Sequence, residues 1–308
     1  MPSVVSFSLS PSALESGARR SAVIARLSKL APFQPAAVKL LTLSGDTATG
    51  LAEFERAFGS DPALAANLLA LANSPLYGLE TRIDNLRHAV MLLGFDTVRS
   101  LALTVAMSAY VRGTAAQRVA QVVWSHGIAT GIIAEAIGRA RGEAGSSLYA
   151  AGLVHDIGRL GMLNLEGERY AALLERDFYE VEESILLETL LFGCSHDDAG
   201  AFLARTWGFP ESVSDCVHFH HQLVLDKGPT LRTVQIACHY AGALGFGELK
   251  CADQPPALVD ALPPELRAIP QLEPARMRER ILQAETEFSN LAAPKAPREV
   301  AVPVRKSR

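Results

Sequence analysis

Apolar residues recur three and four positions apart along most of the chain, the spacing of one face of an α-helix. Ser60-Asp61-Pro62 places a capping residue ahead of a proline at the first helical position, and Leu64, Leu68 and Leu71 follow on one face. The run Asn73-Ser74-Pro75-Leu76-Tyr77-Gly78 predicts a loop, with Leu76 and Tyr77 packing into the body. Asp84 is expected to cap a second helix, striped by Leu86, Val90 and Leu93 and closed by Gly94, and Asp96 starts a third. Further helices are predicted over about 115–141 and 146–163, through Glu188, over 195–207 up to the break at Gly208-Phe209-Pro210, and over 274–291. No run alternates apolar and polar residues between hairpin turns, so the expected fold class is all-α.

These elements divide the chain into an N-terminal tail (1–20), a helical lobe (21–114), a histidine-bearing helical core (115–245), a linker with one helix (246–291) and a tail (292–308). The last is rich in proline and cationic residues with little to bury, and is expected to be disordered. At 308 residues, 49% of them hydrophobic, the chain can bury a large core without staples. Cys194, Cys216, Cys238 and Cys251 form no C-x-x-C pair, which argues against a zinc ribbon or a disulfide framework and for a reducing cytoplasm. A formal net charge of -4 and 6% aromatic residues give no footprint for nucleic acid. The apolar run Leu101 to Val111 falls short of a membrane span, and the N-terminus lacks the cationic start of a secretory signal.

Candidate chemistry concentrates in the middle of the chain. His126 shares a predicted helix face with Val119, Val122, Val123, Ile133 and Ile137, and therefore points inward. His155 and Asp156 are adjacent and follow small and apolar residues that carry them into a packed interior. An ionised Asp156 needs a cationic neighbour there, and a metal or a histidinium would serve. His196 opens a helix on the face of Gly200, Leu203 and Trp207. After Pro210, Val213, Cys216 and Val217 define an inward face that also takes His220, with His221 at its edge and His218 pointing away. Each inward histidine alone fits a hydrogen-bonded core residue. Together, imidazoles and a carboxylate from several helices suit one or two divalent ions of Zn, Fe, Mn, Co or Ni. There is no H-E-x-x-H, P-loop or G-x-S-x-G motif; Cys194 near His196 forms a thiol and base in sequence only.

Leu153-Val154-His155-Asp156-Ile157-Gly158-Arg159-Leu160 resembles the signature of the HD superfamily of metal-dependent phosphohydrolases. Upstream, Ser60-Asp61-Pro62-Ala63-Leu64, Leu71 to Gly78 and His88 to Gly94 resemble the HDOD domain, a bacterial relative, and the likeness runs from about Ser28 to Gln222. The resemblance implies an HD-type helical bundle with an N-terminal helical lobe. It also implies that His126, His155, Asp156, His196, His220 and His221 match the metal ligands of the related HD-GYP phosphodiesterases, Asp156 bridging two ions. The closing Asp of that pattern is absent, with Cys238 or His239 near its place, and no glycine-tyrosine-proline motif follows His221. Two functions are consistent with this: a regulatory output module that binds a protein partner, or a phosphohydrolase acting on a nucleotide or cyclic dinucleotide. In the second, Arg159 would contact a small phosphate-containing ligand; otherwise it is a surface cation near a helix end.

Overall fold

The computed structural model describes residues 13–42, 48–59, 61–114, 116–178, 180–224, 226–251 and 261–290. The predicted C-terminal tail lies outside them. In chain order the helices are α1 (Ala13–Leu27), α2 (Pro35–Thr42), α3 (Ala48–Gly59), α4 (Pro62–Ala72), α5 (Leu86–Leu93) and α6 (Phe95–Arg112). They continue with α7 (Gln117–Ala140), α8 (Gly145–Val154), α9 (Ile157–Glu166), α10 (Glu168–Leu174), α11 (Val181–Phe192), α12 (His196–Trp207) and α13 (Glu211–Phe219). The last three are α14 (Pro229–Ala241), α15 (Pro264–Arg267) and α16 (Pro274–Asn290). The described strands are one parallel pair of two residues each, β1 (Asp177–Phe178) and β2 (Lys250–Cys251), so the all-α expectation holds.

Local chemistry accounts for most boundaries. Asp61 accepts hydrogen bonds from the Ala63 and Leu64 amides ahead of Pro62, as its position before a proline predicts. The cap of α5 is Asn85, not the expected Asp84: its side chain accepts from the His88 amide, and Asp84 instead pairs with the His88 ring. Helix α1 starts at Ala13, inside the stretch expected as a tail. It packs on α9, α11 and α12, with Arg20 on Asp198 and Arg26 on Glu166. The 146–163 helix is broken after Val154, and His155 and Asp156 occupy the break.

Helices α2 to α6 form the N-terminal lobe around Phe54, Phe58, Leu64, Leu68 and Leu71, continuous with the rest of the core. Burying each such side chain contributes on the order of 1.5–3 kcal/mol. Leu76 and Tyr77 are both half-buried; of the two residues expected to pack into the body, Tyr77 is the one that packs against the core. At the centre lies α7, buried on all sides from Ile128 to Gly138 and packed against α6, α8, α14 and α16. Val122, expected inward, is 41% exposed, because the inward arc of α7 runs through Val119, Val123 and His126.

Two close helix approaches position the candidate site. A Cβ on Gly152 of α8 would stand 2.9 Å from the α7 backbone at Thr130 and Gly131. A Cβ on Gly158 of α9 would stand 2.0 Å from the carbonyl oxygen of His196 on α12. Only glycine allows these contacts, and they draw His155 towards His126 and Asp156 towards His196. Among the described residues no helix is long and apolar enough to cross a membrane.

Candidate metal centre

Four histidines are turned into one cluster by the same device. The Nδ1 of His126 donates to the carbonyl oxygen of Phe246 at 2.7 Å, and that of His155 to Gly152 at 2.7 Å. His220 Nδ1 donates to the carbonyl of Cys216 at 3.1 Å, and His196 Nδ1 to Glu188 Oε2 at 2.7 Å. Because carbonyls and carboxylates only accept, each Nδ1 carries the proton and each Nε2 faces inward. This is the outer-shell arrangement that orients imidazoles for a metal. The rings contact one another: His126 and His155 centroids lie 5.0 Å apart, His155 and His220 4.8 Å, His196 and His221 5.2 Å.

Asp156 stands among them at the break between α8 and α9. Its Oδ1 lies 3.5 Å from His220 Nε2 and 3.6 Å from His196 Nε2. The cation that sequence logic requires beside it is Arg159, one turn on, whose Nε is 3.3 Å from the same oxygen. Arg159 is therefore neither a surface cation nor an open phosphate contact. It is fully buried and also pairs with Glu188 at 2.8 Å and approaches Glu248 at 3.8 Å. Glu188 in turn accepts from Tyr170, from the His196 ring and from the His196 amide. Glu188, Asp197 and Glu248 were missed in the sequence. Ser184, Glu188 and Phe192 share the buried face of α11, while Leu186 and Leu191 are exposed, an inversion that hides the carboxylate from a hydrophobic-stripe reading. For Asp197 a signal existed, since His196-Asp197 repeats the adjacent pair of His155-Asp156.

Burial would raise the Asp156 carboxyl, but Arg159, His220 and His155 overcome it and hold the group ionised, well below the usual carboxylate range. Burial, with the neighbouring His220 and His126 rings, pushes His155 well below its ordinary value. His221 is likewise lowered by burial and by His220, so both rings are neutral, the form that binds metal. His196 behaves oppositely. Burial and Arg159 would lower it, but Glu188 and Asp197 prevail and raise it to about 10. Cys194 is no partner for it: burial raises that thiol to about 12, and its Sγ–H points to the Ser195 carbonyl.

The residues fit a divalent cation. Nε2 of His155, His196, His220 and His221 and both carboxylate oxygens of Asp156 are buried without a hydrogen-bond partner, a costly state that a shared cation would relieve. Two ligand sets meet at Asp156, one with His196, His220 and His221, the other with His126 and Glu248. His126 and His155 also converge with Cys238. The structure thus brings together all six residues expected as ligands, and His218 points away onto Asp198.

Comparison with known proteins agrees with this architecture. The fold matches that of an HDOD domain protein of unknown function from Geobacter sulfurreducens, with a TM-score of 0.67 and 20% identity over 89% of this chain and 96% of that one. It matches a protein provisionally named a phosphohydrolase from Shewanella amazonensis SB2B, with a TM-score of 0.62 and 20% identity over 89% and 99% of the two chains. A protein provisionally named for signal transduction from Marinobacter aquaeolei VT8 gives a TM-score of 0.63 at 21% identity, over 89% of this chain and 66% of that one. In sequence, an uncharacterized protein of Treponema pallidum (strain Nichols) is 28% identical over 178 residues. That match covers 56% of this chain, and the chain spans only 34% of that relative. The HDOD domain family itself matches residues 30–223, more than half of the chain, and the protein belongs to that family.

Proposed function

We propose that this protein is a regulatory HDOD module in which a divalent metal, bound by His126, His155, Asp156, His196, His220 and His221, fixes the helix packing, and that its output passes to a protein partner. The observation that carries this reading is the closure of the site. His126, His155, Asp156, His196 and His220 are each 4% exposed or less, and the one nearby guanidinium is consumed by carboxylates. Structural metal sites are closed, whereas catalytic ones keep an open position. A surface for a partner is supported by the exposed Met91 and Leu92 on α5, and by Leu186 and Leu191 on α11.

The sharing of Asp156 by two ligand sets favours a second reading, a phosphohydrolase with a carboxylate-bridged pair of ions. There the metal would supply Lewis acidity to a phosphoryl oxygen. Asp156 would hold the pair together, and Arg159 and Glu188 would keep Asp156 and His196 in place.

Chelation tests the metal, and turnover decides between them. Removing metal from the purified chain should lower its melting temperature, and Mn, Fe, Co or Zn should restore it; an ion at a hundred times its Kd contributes about 2.7 kcal/mol. Cyclic dinucleotides, nucleotides and simple phosphodiesters should not be turned over by the reloaded protein. Sustained hydrolysis that disappears in a folded Asp156→Ala variant overturns the module reading in favour of the enzyme.

A further inference from the structure

Next to the imidazole-rich half of the cluster stands a half of different chemistry. His126 Nε2 faces two side chains from the C-terminal part of the core: Cys238 Sγ on α14 at 3.4 Å and Glu248 Oε2 at 3.0 Å. Neither contact is incidental to the packing. Residues Gly242–Phe246 form a π-helical turn at the end of α14, and the carbonyl of Phe246 is the acceptor that orients His126. Arg278 of α16 clamps that turn, donating to the carbonyl of Leu244 and lying over the Phe246 ring. Beyond Glu248, β2 pairs with β1, so the acidic residue is tethered on both sides. The Glu248 side chain is 8% exposed, and the Nε2 of the adjoining His155 has no hydrogen-bond partner.

We infer that His126, His155, Cys238 and Glu248 form a second metal position, sulfur-bearing and joined to the first through Asp156. The inference rests on the reading that the cluster holds metal, and goes beyond it by assigning two ligands and a metal preference. A thiolate among imidazole and carboxylate donors selects a thiophilic ion such as Zn²⁺ or Co²⁺ over Mn²⁺ or Mg²⁺. On binding, the Cys238 S–H bond gives way to a metal–sulfur bond, and its proton leaves to solvent buffer. The two positions are therefore unlike: His196, His220 and His221 offer nitrogen only, and among the described residues sulfur comes from Cys238.

Cobalt reads this directly, because a cobalt–thiolate bond gives a near-ultraviolet charge-transfer band that nitrogen and oxygen ligands do not. Metal-free full-length protein titrated with Co²⁺ should develop that band. The Cys238→Ser variant should lose it and bind the ion at that position at least about tenfold more weakly, a loss seen even for outer-shell substitutions. Glu248→Gln should keep the band but need more Co²⁺ to reach it, and Cys194→Ser, whose thiol points to the Ser195 carbonyl, should titrate like the wild type. If the wild type binds Co²⁺ without the band, or Cys238→Ser keeps it, the sulfur position is overturned while the metal reading stands. If no Co²⁺ binds, both fall.

Discussion

The N-terminal lobe and the histidine core are built from the same kind of helix but bury opposite kinds of residue. From α2 to α5 no polar or charged residue among those described is fully buried, and the interior is Phe54, Phe58, Leu64, Leu68, Leu71 and their neighbours. Between α7 and α13 the interior holds His126, His155, Asp156, Arg159, Glu188, His196, Asp197 and His220. Hydrophobic burial stabilises α2 to α5 with no buried charge, and polar burial in the lobe begins only at α6, with Arg99, Ser100, Thr104 and Ser108. In the core, buried charge is tolerated only because each group has a counter-charge or an anchored proton. Loss of one residue should therefore be local in the lobe and collective in the core.

The largest effect is expected at Asp156. Its replacement by Ala removes the carboxylate shared by both ligand sets and leaves Arg159 with one fewer counter-charge, which should cost about 3–5 kcal/mol of stability. Thermal melts with and without chelator check this: the variant should melt lower than the wild type and respond to chelator hardly at all. A chelator shift equal to that of the wild type would dissolve the contrast between the two regions. In the lobe, Leu68→Ala should cost about 2–5 kcal/mol by leaving a cavity, and elemental analysis should find the wild-type metal content. Loss of metal there would show that the lobe helps to shape the centre.

A smaller effect follows from protons. His196 is held protonated up to about pH 10 by Glu188 and Asp197, and a metal must displace that proton. Below that pH the bound proton competes with the ion, so metal affinity should rise with pH, by about tenfold per unit from this group alone. Calorimetric titrations across buffers and pH values measure the proton released. A pH-independent affinity would mean that His196 is not a ligand.

Much of this was legible in the sequence, and the exceptions share a cause. Helix spacing and caps placed α4, α7, α12 and α16, and the inward faces placed His126, His155, His196 and His220, because apolar periodicity reports burial directly. Polar residues on helix faces are ordinarily solvated, so nothing local separated the buried Glu188 from its exposed neighbour Thr189. Arg159 misled for the same reason: its position near a helix end says surface, and only the fold shows three carboxylates around it. Glu248 arrives from outside the span of the family match, on a turn whose path depends on Arg278. The break at His155 and Asp156 was hidden because no proline marks it, and Gly152 and Gly158 on its two sides read equally well as close-packing glycines of one continuous helix.

That contact at Gly158 has a meaning for descent. Because backbone meets backbone there, the distance from Asp156 to His196 is written into the course of two helices rather than into the reach of side chains. Donor atoms elsewhere in the cluster can be exchanged by point mutation without altering this backbone frame. A lineage can thus change which ion it holds, or abandon ions altogether, without redesigning its fold. The glycine is the character to follow when asking whether a relative that lacks the histidines once had a centre of its own.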